Sequence, residues 1–581
     1  MAKKLMTGNE AVARGFWEAG GRVVSAYPGT PSTEITENAA KYQELYAEWA
    51  PNEKVALEVA IGASMGGARS LAAMKHVGLN VAADPLFTVA YTGVNGGLII
   101  VSADDPGMHS SQNEQDNRNY ARAAKIPALE PADSSEAKEF TKLGLVLSEQ
   151  FDTPVMLRLT TRIAHSQSFV ELEDREESAN KTYKKDISKY VMTPAGARPR
   201  HVLIESRMEA LAEFAATGEI NRAEYRSKDI GVICAGAVYQ YVREALPDAS
   251  VYKLGMIYPL SYQSIIDFAN QVKKLYVIEE LDPFIENILK SWGIECIGKD
   301  IFSLCGEIFP ETIAGKLAGC PLPEISENPN IPPRPPVMCA GCPHRAVFYM
   351  FNKLKLTVTG DIGCYTLAAA PPLAAIDSTV CMGASIGMAH GLEKALGRDS
   401  SVHTVAVLGE STFIHSGITS LINTVYNQSA VTTVILDNHI TAMTGHQNNP
   451  ASGYNAKGQA APALDLAALV KACGVPMVNV VDPFDLAKSE RVLKESLAFD
   501  GPSVIIYRQP CVLLGRTVTN TKYEVNRQNC IGCKICLKCG CPALGYSEGK
   551  AVIDQQQCTG CGLCAGLCPK ETIEAVKKEG K

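Results

Sequence analysis

No run of apolar residues in this 581-residue chain reaches the roughly 18 that a membrane-spanning helix needs, so none is expected. An excess of positive charge is missing too. Lys and Arg number 55 against 62 Asp and Glu, and the net −7 argues against nucleic acid or an anionic membrane as main partner. No secretory h-region follows Met1-Ala-Lys-Lys-Leu5, and the expectation is a cytoplasmic protein. Apolar content of 46% and charged content of 20% are those of a soluble globular chain. Its length suggests three to five domains, taking roughly 150 residues for each.

Cysteine is abundant. Nineteen in a reducing compartment are not expected to form disulfides, so regular spacing reads as metal or cluster ligation. Cys558-x2-Cys561-x2-Cys564-x3-Cys568-Pro569 is the bacterial ferredoxin pattern. Upstream stands Cys530-x2-Cys533-x2-Cys536, then Cys539 and Cys541-Pro542. In two-cluster ferredoxins the fourth cysteine of each run serves the other cluster. Cys530, Cys533, Cys536 and Cys568 are therefore expected to hold one [4Fe–4S] cluster, and Cys558, Cys561, Cys564 and Cys541 the second. Cys539 is left over and is an alternative to Cys541. Structural zinc would need only four cysteines per site and no Cys-Pro. Cys234, Cys296, Cys305, Cys320 and Cys473 have no ligand spacing and read as core thiols.

Residues 405–440 carry a second kind of chemistry. Two β-branched runs, 405–408 and 431–436, read as buried parallel strands. The first is followed by Gly409-Glu410-Ser411, the second by Asp437-Asn438-His439-Ile440. Ligands in open α/β sheets sit beyond the carboxyl ends of strands. Mg²⁺ takes one or two protein oxygens there and fills its octahedron with phosphate and water. With 25 residues between Ser411 and Asp437, the arrangement resembles the thiamine diphosphate signature. Glu410, Ser411 and Asp437 replace that signature's Asp, second Gly and first Asn.

Along the chain, Thr7-Gly-Asn-Glu10 reads as a capping box opening a helix that stops at Gly20-Gly21. A strand from Arg22 to Ala26 feeds the turn Tyr27–Ser32, and strand–turn–helix units continue to about residue 165 as a doubly wound α/β domain. Val81-Ala-Ala83 and Gly97–Ser102 read as further strands. Glu58, in the apolar run 55–64, lies either on an exposed helix stripe or desolvated with a raised pKa. Charged residues 171–200 suggest a solvated linker. A second α/β unit follows from Asp229 to about Pro310, with strands at Ile230–Ala235 and Leu275–Glu279. Seven prolines in 321–338 make an extended, stiff connector. Beyond it come Cys339-Ala-Gly-Cys342-Pro-His344-Arg345, Gly360-Asp-Ile-Gly-Cys364 and the Gly/Ala-rich Met382–Gly387, a kind of segment that admits a phosphate close to backbone.

These strings together resemble the 2-oxoacid:ferredoxin oxidoreductases, and within them the branch that takes arylpyruvates, over essentially the whole chain. They are Tyr27-Pro-Gly-Thr-Pro-Ser-Thr-Glu-Ile35, Ala103–Asp116, Cys339–Arg345, Ser411–Gly417 and Asp437–Gly445. The resemblance implies an α/β fold of doubly wound thiamine-binding domains with a C-terminal α+β two-cluster ferredoxin domain. The implied boundaries are a pyrimidine-binding domain at 1–185, a transketolase-C-like domain at 200–320, the connector at 321–338, a diphosphate-binding domain at 339–518 and the ferredoxin domain at 521–581. It further implies Glu58 as the buried cofactor-activating carboxylate and Thr30 as a contact for the substrate carboxylate. Glu410, Asn438 and the Ile440 carbonyl match the Mg²⁺ ligands, flanked by Gly409 and Ser411. Cys339, Cys342, Cys364 and Cys511 match the ligands of a third [4Fe–4S] cluster near the thiamine. The implied reaction turns an arylpyruvate, coenzyme A and oxidised ferredoxin into aryl-acetyl-CoA, CO₂ and reduced ferredoxin. A smaller beta subunit is implied as partner, in a higher oligomer such as a dimer of heterodimers. Rival readings are an oxidoreductase for pyruvate or a branched-chain 2-oxoacid, an electron-transfer subunit with a structural α/β body, and a non-oxidative thiamine decarboxylase with a ferredoxin tail.

Overall fold

Strands whose side chains are buried on both faces organise the two largest sheets. The computed structural model describes residues 2–177, 181–217, 220–319, 331–332, 335–514 and 521–577, and the chain divides into two compact units, Met1–Glu327 and Asn328–Lys581. In the first unit, β1 (Val23–Ala26), β2 (Tyr46–Trp49), β3 (Ser70–Lys75), β4 (Leu98–Asp104), β5 (Ala128–Leu129) and β6 (Val155–Thr160) lie parallel in the order β5-β6-β4-β3-β1-β2. Every residue of β3, β4 and β6 is buried, as in a sheet covered by helices on both sides. The chain steps from β1 to β2 on one side and returns to β3 on the other. That reversal opens a crevice beyond the carboxyl ends of β1 and β3.

The expected capping box is present: Thr7 N donates to Glu10 Oε2 at 2.9 Å and Glu10 N to Thr7 Oγ1 at 3.2 Å, opening the helix Gly8–Glu18. Two local expectations fail. Val81 ends the helix His76–Val81 and Ala83 begins Ala83–Thr92, so Val81-Ala-Ala83 is no strand. A three-residue apolar run is too short for its period to separate strand from buried helix. The expected linker at 171–200 fails only at its end, where the chain enters a helix, Pro194–Ala215, whose Thr193 hydroxyl accepts from Gly196 N; most of the described residues before it are irregular and exposed. Pro194 sits in its first turn, where a missing N–H costs nothing.

A second sheet in this unit contains β7 (Ser227–Ala235), β8 (Ala249–Leu254) and β9 (Lys274–Ile278), parallel in the order β9-β7-β8. Met256–Tyr258 leaves that region and pairs antiparallel with β5, stitching it to the first sheet. Arg118, 2% exposed, completes the seam, donating to Asp116, to Glu279 Oε2 at 2.6 Å and to the carbonyls of Glu280 and Asp282. A buried guanidinium is tolerated when its donors are matched in this way.

The second unit holds five parallel strands, β10 (Thr357–Thr359), β11 (Thr404–Gly409), β12 (Thr432–Asp437), β13 (Met477–Val481) and β14 (Ser503–Arg508), in the order β10-β11-β12-β14-β13. The two strands expected at 405–408 and 431–436 are β11 and β12, paired side by side. The ferredoxin-like end has two antiparallel pairs, Thr521–Val525 with Ile573–Lys577 and Leu544–Ser547 with Lys550–Ile553. Most of the proline-rich stretch 321–338 lies outside the described residues.

Among the described cysteines none is in a disulfide. Cys234 is a core thiol, whereas Cys305 is exposed, contrary to expectation, and Cys320 lies outside the described residues. Among the described residues no helix is long and apolar enough to cross a membrane.

Candidate functional site

Parallel strands deliver their carboxyl ends to one edge, and in the second unit that edge is crowded with buried polar groups. Glu410 follows β11 and is 2% exposed. It accepts from Asn449 Nδ2 at 3.1 Å and Asn438 N at 3.4 Å. Burial first, and then the charge of Asp437, push its carboxyl up to about 8. Asp437 is paired with Arg508, the last residue of β14, at 2.7 Å. Asn438 Oδ1 accepts from Ile440 N at 3.2 Å, folding this side chain over the turn. Ser411 Oγ accepts from Thr441 Oγ1 at 2.9 Å. Glu410 and Asn438 thus present buried hard oxygens with amide partners and no cation of their own. That is the donor chemistry a Mg²⁺-diphosphate would match.

Two further residues organise this edge. Asn449 bridges Glu410 and Thr441, whose hydroxyl it reaches at 3.3 Å. Asp361, just beyond β10, accepts from Ile362 N, from Gly383 N at 2.9 Å and from Ser385 N at 3.2 Å. Burial pushes its carboxyl up to about 6. The Met382–Gly387 segment is therefore anchored to a carboxylate through Gly383 and Ser385, and these two amides are not offered to a phosphate. His344, 5% exposed and with its pKa lowered to about 4 by burial, faces Asn438 Nδ2 at 3.4 Å.

Cys339, Cys342, Cys364 and Cys511 gather beside this edge. Burial pushes the Cys364 thiol up to about 11, and the neighbouring Cys511, Cys339 and Glu410 charges add to it. Cys342, raised to about 12 by burial, also feels Cys364 and Cys339. Cys511 N donates to Asn438 O at 3.0 Å, tying the fourth thiol to the Asn438 turn. Among the described residues no three His, Cys, Asp or Glu converge tightly enough for a single ion. A [4Fe–4S] cubane asks for something wider, because each thiolate binds a different iron.

In the ferredoxin-like end, one cavity is lined by Cys530, Cys533, Cys536 and Cys568. Another is lined by Cys539, Cys541, Cys558, Cys561 and Cys564. The crossed grouping read from the spacing is thus the spatial one. Cys539 and Cys541 face the same cavity, but Cys539 Sγ donates to Cys536 O at 3.2 Å within its own turn.

The Cys339 loop abuts the second of these cavities. Gly341 has φ +73°, and a Cβ there would run into Thr559 Oγ1, between Cys558 and Cys561. Arg345, 2% exposed, clamps the junction, donating to the carbonyls of Cys339 at 2.9 Å, Gly540 at 2.6 Å, Cys539 at 3.2 Å and Met338. Arg345→Met strands these buried acceptors and is expected to cost about 3 kcal/mol. In a guanidinium titration of reconstituted protein the cluster absorbance should then collapse at lower denaturant. An unchanged midpoint would rule the clamp out.

In the first unit the crevice between β1 and β3 carries the other expected residues. Thr30 lies in the turn after β1, its carbonyl accepting from Ser110 Oγ at 3.3 Å. Glu58 is not buried: its side chain is 45% exposed and paired with Lys54, one turn earlier. The buried face of the helix Glu53–Met65 is Glu53, Ala56, Leu57, Ala60 and Ser64, leaving 54 and 58 on the open stripe. Glu53, 5% exposed, is the desolvated carboxylate, and sequence reading passed it over. Its side chain lies against Gly78, where an added Cβ would fall 2.7 Å from both Glu53 Cγ and Oε1. Asn52-Glu53 reads in sequence as an ordinary helix start, and Asn52 does cap Val55 N at 2.9 Å.

Known proteins agree with this geometry. Residues 14–230 match the pyruvate flavodoxin/ferredoxin oxidoreductase thiamine diphosphate-binding family, 361–507 the C-terminal thiamine pyrophosphate-binding domain, and 551–574 the 4Fe-4S binding domain. Fold and matched domains define a thiamine-dependent 2-oxoacid:ferredoxin oxidoreductase. The indolepyruvate oxidoreductase subunit IorA of Archaeoglobus fulgidus is 40% identical over 99% of this chain and 98% of its own length. That of Pyrococcus horikoshii is 40% identical over 99% and 97%. The chain belongs to the IorA family, the alpha subunits of indolepyruvate ferredoxin oxidoreductase. The 2-oxoglutarate synthase subunit KorA of Methanothermobacter thermautotrophicus is 30% identical over 29% of this chain and 47% of its own. A 2-oxoglutarate:ferredoxin oxidoreductase structure from Magnetococcus marinus aligns with a TM-score of 0.48 at 19% identity, covering 55% of this chain and 65% of that one.

Proposed function

We propose that this chain oxidises arylpyruvates, indolepyruvate among them, to aryl-acetyl-CoA. The bond between the keto carbon and the carboxylate breaks and CO₂ leaves. The CoA thiol loses its proton and forms the thioester, and two electrons depart singly to ferredoxin. The preference for an aryl group rests on the IorA relatives, whose name carries indolepyruvate. When bound, thiamine diphosphate supplies the electron sink for decarboxylation, and the clusters supply one-electron carriers.

The observation that carries this reading is the buried Glu410–Asn438 edge standing beside four gathered cysteines. Glu410, Asn438 and the Ile440 carbonyl would hold Mg²⁺, with Gly409 and Ser411 next to the diphosphate. Asp361 and Asn449 keep that edge rigid. Cys339, Cys342, Cys364 and Cys511 would hold the cluster nearest the reaction. Cys541 serves the second ferredoxin cluster rather than Cys539, whose S–H is committed to Cys536 O. Glu53, not Glu58, supplies the carboxylate that the aminopyrimidine requires, because it is the desolvated one. Thr30 meets the substrate carboxylate. A smaller beta subunit completes the enzyme, in a dimer of heterodimers, in the cytoplasm.

Anaerobic dye reduction with CoA across a panel of 2-oxoacids, with and without the beta subunit, tests this directly. Arylpyruvates are expected to lead, and the chain alone is expected to turn over poorly. A preference for pyruvate or branched-chain acids would reassign the substrate, and full activity of the isolated chain would remove the partner from the scheme.

A further inference from the structure

Among the described residues three lysines, Lys75, Lys138 and Lys253, expose less than a tenth of their surface. Lys138 is paired with Glu18 and Glu139, each at 3.0 Å, and Lys253 with Glu136. Lys75 has no carboxylate partner among the described residues. Its Nζ donates to Ser110 O at 2.7 Å and Ser110 Oγ at 3.2 Å, both neutral. One of its three N–H groups has no acceptor among the described residues. Asp105 is the acid nearest in effect, but its oxygens are taken by Ser110 N at 2.9 Å, Ser111 Oγ at 2.5 Å and Thr161 Oγ1 at 2.6 Å. A desolvated ammonium without a counter-charge is costly and marks a place for an anion. Burial lowers its pKa to about 8, with Asp105 partly opposing, as expected of an ammonium whose hydrogen-bond partners are neutral.

Its position says which anion. Lys75 is the last residue of β3, at the crevice where the chain reverses direction, and such crevices receive the ligand. The β1 turn lies against it: a Cβ on Gly29 would sit 3.0 Å from Lys75 Cβ. Ser110 Oγ lies within hydrogen-bond distance of both Lys75 Nζ (3.2 Å) and Thr30 O (3.3 Å), so strand end and turn meet at one hydroxyl. We infer that Lys75 binds the carboxylate of the 2-oxoacid, with Ser110 aiming its ammonium. This deepens the reading of the chain as a 2-oxoacid oxidoreductase and rests on it.

The test uses the reconstituted complex with its beta subunit and cofactors. Lys75→Met keeps the aliphatic stem and removes the charge. KM for indolepyruvate is expected to rise at least 30-fold with kcat within about threefold, and Lys75→Arg should restore most of it. In calorimetry, Lys75→Met should lose binding of indole-3-propionate, a carboxylate without the keto group, and keep that of indole-3-propionamide. Wild-type KM in Lys75→Met, or equal weakening of acid and amide, overturns the assignment and leaves the oxidoreductase reading standing. A wild-type complex that reduces dye with no 2-oxoacid overturns both. Should Lys75→Met fail to assemble, protection of Lys75 from reductive methylation in the wild-type complex decides. Indole-3-propionate must protect and the amide must not; any other pattern overturns the assignment.

Discussion

Glu53→Gln is expected to lower arylpyruvate-driven dye reduction by about 10³-fold while thiamine diphosphate content stays near wild type. Glu58→Gln is expected to change neither. Both are acids on one helix five residues apart, and what separates them is solvent. A carboxylate 5% exposed and packed against Gly78 is kept from water. One that is 45% exposed and paired with Lys54 is screened by water and has a competing partner. Stopped-flow reduction and cofactor quantitation on the same samples separate binding from activation. The reverse pattern, with Glu58→Gln inactive in dye reduction and Glu53→Gln as active as wild type, would return the role to Glu58. Gly78→Ala gives an independent check, since its Cβ displaces the Glu53 carboxylate and should mimic part of the Gln defect.

Cys342→Ala is the second large effect. Loss of one ligand from the set Cys339, Cys342, Cys364 and Cys511 should lower the iron content of reconstituted protein from about 12 to about 8 per chain, as one of three four-iron clusters goes. Dye reduction should fall below about 1% of wild type, because the remaining clusters are cut off from the electron donor. Cys305→Ala, an exposed thiol outside every gathered set, is the control and should keep full iron. Eight irons in wild-type protein would show that the third cluster does not exist. Unimpaired dye reduction in Cys342→Ala would place the electron path elsewhere.

The parts most legible in sequence are those whose chemistry is local. Three cysteines of each ferredoxin-like run lie within a few residues of one another, so each trio stays together however the rest folds; Cys568 lines the cavity of the first trio, and Cys541 lines that of the second together with Cys539. That Glu410 and Asn438 share one edge was legible because each follows a β-branched strand, and parallel strands deliver their ends to one edge. Val81-Ala-Ala83 misled because three apolar residues carry no period. At Glu58 the residues left an exposed stripe and a desolvated site open, and it was the resemblance that implied the second. Its neighbours are apolar, but a period of 3.6 puts 53, 56, 57, 60 and 64 inward and carries 58 to the surface. Asn449 and Asp361 had no spacing signal, since they reach Glu410 and Gly383 across 39 and 22 residues.

From its residue order alone this chain indicated an iron–sulfur module and thiamine-binding doubly wound sheets, through spacings and periods that can be read along the chain. Which carboxylate is dry, which lysine lacks a carboxylate against it, and which cysteine loop abuts which cavity were decided only in three dimensions. Burial is a property of everything packed around a side chain, and here those neighbours come from strands and turns dozens of residues away. Lys75 and Glu53 are ordinary surface residue types whose chemistry is set by where the sheet edge and the Gly78 backbone enclose them.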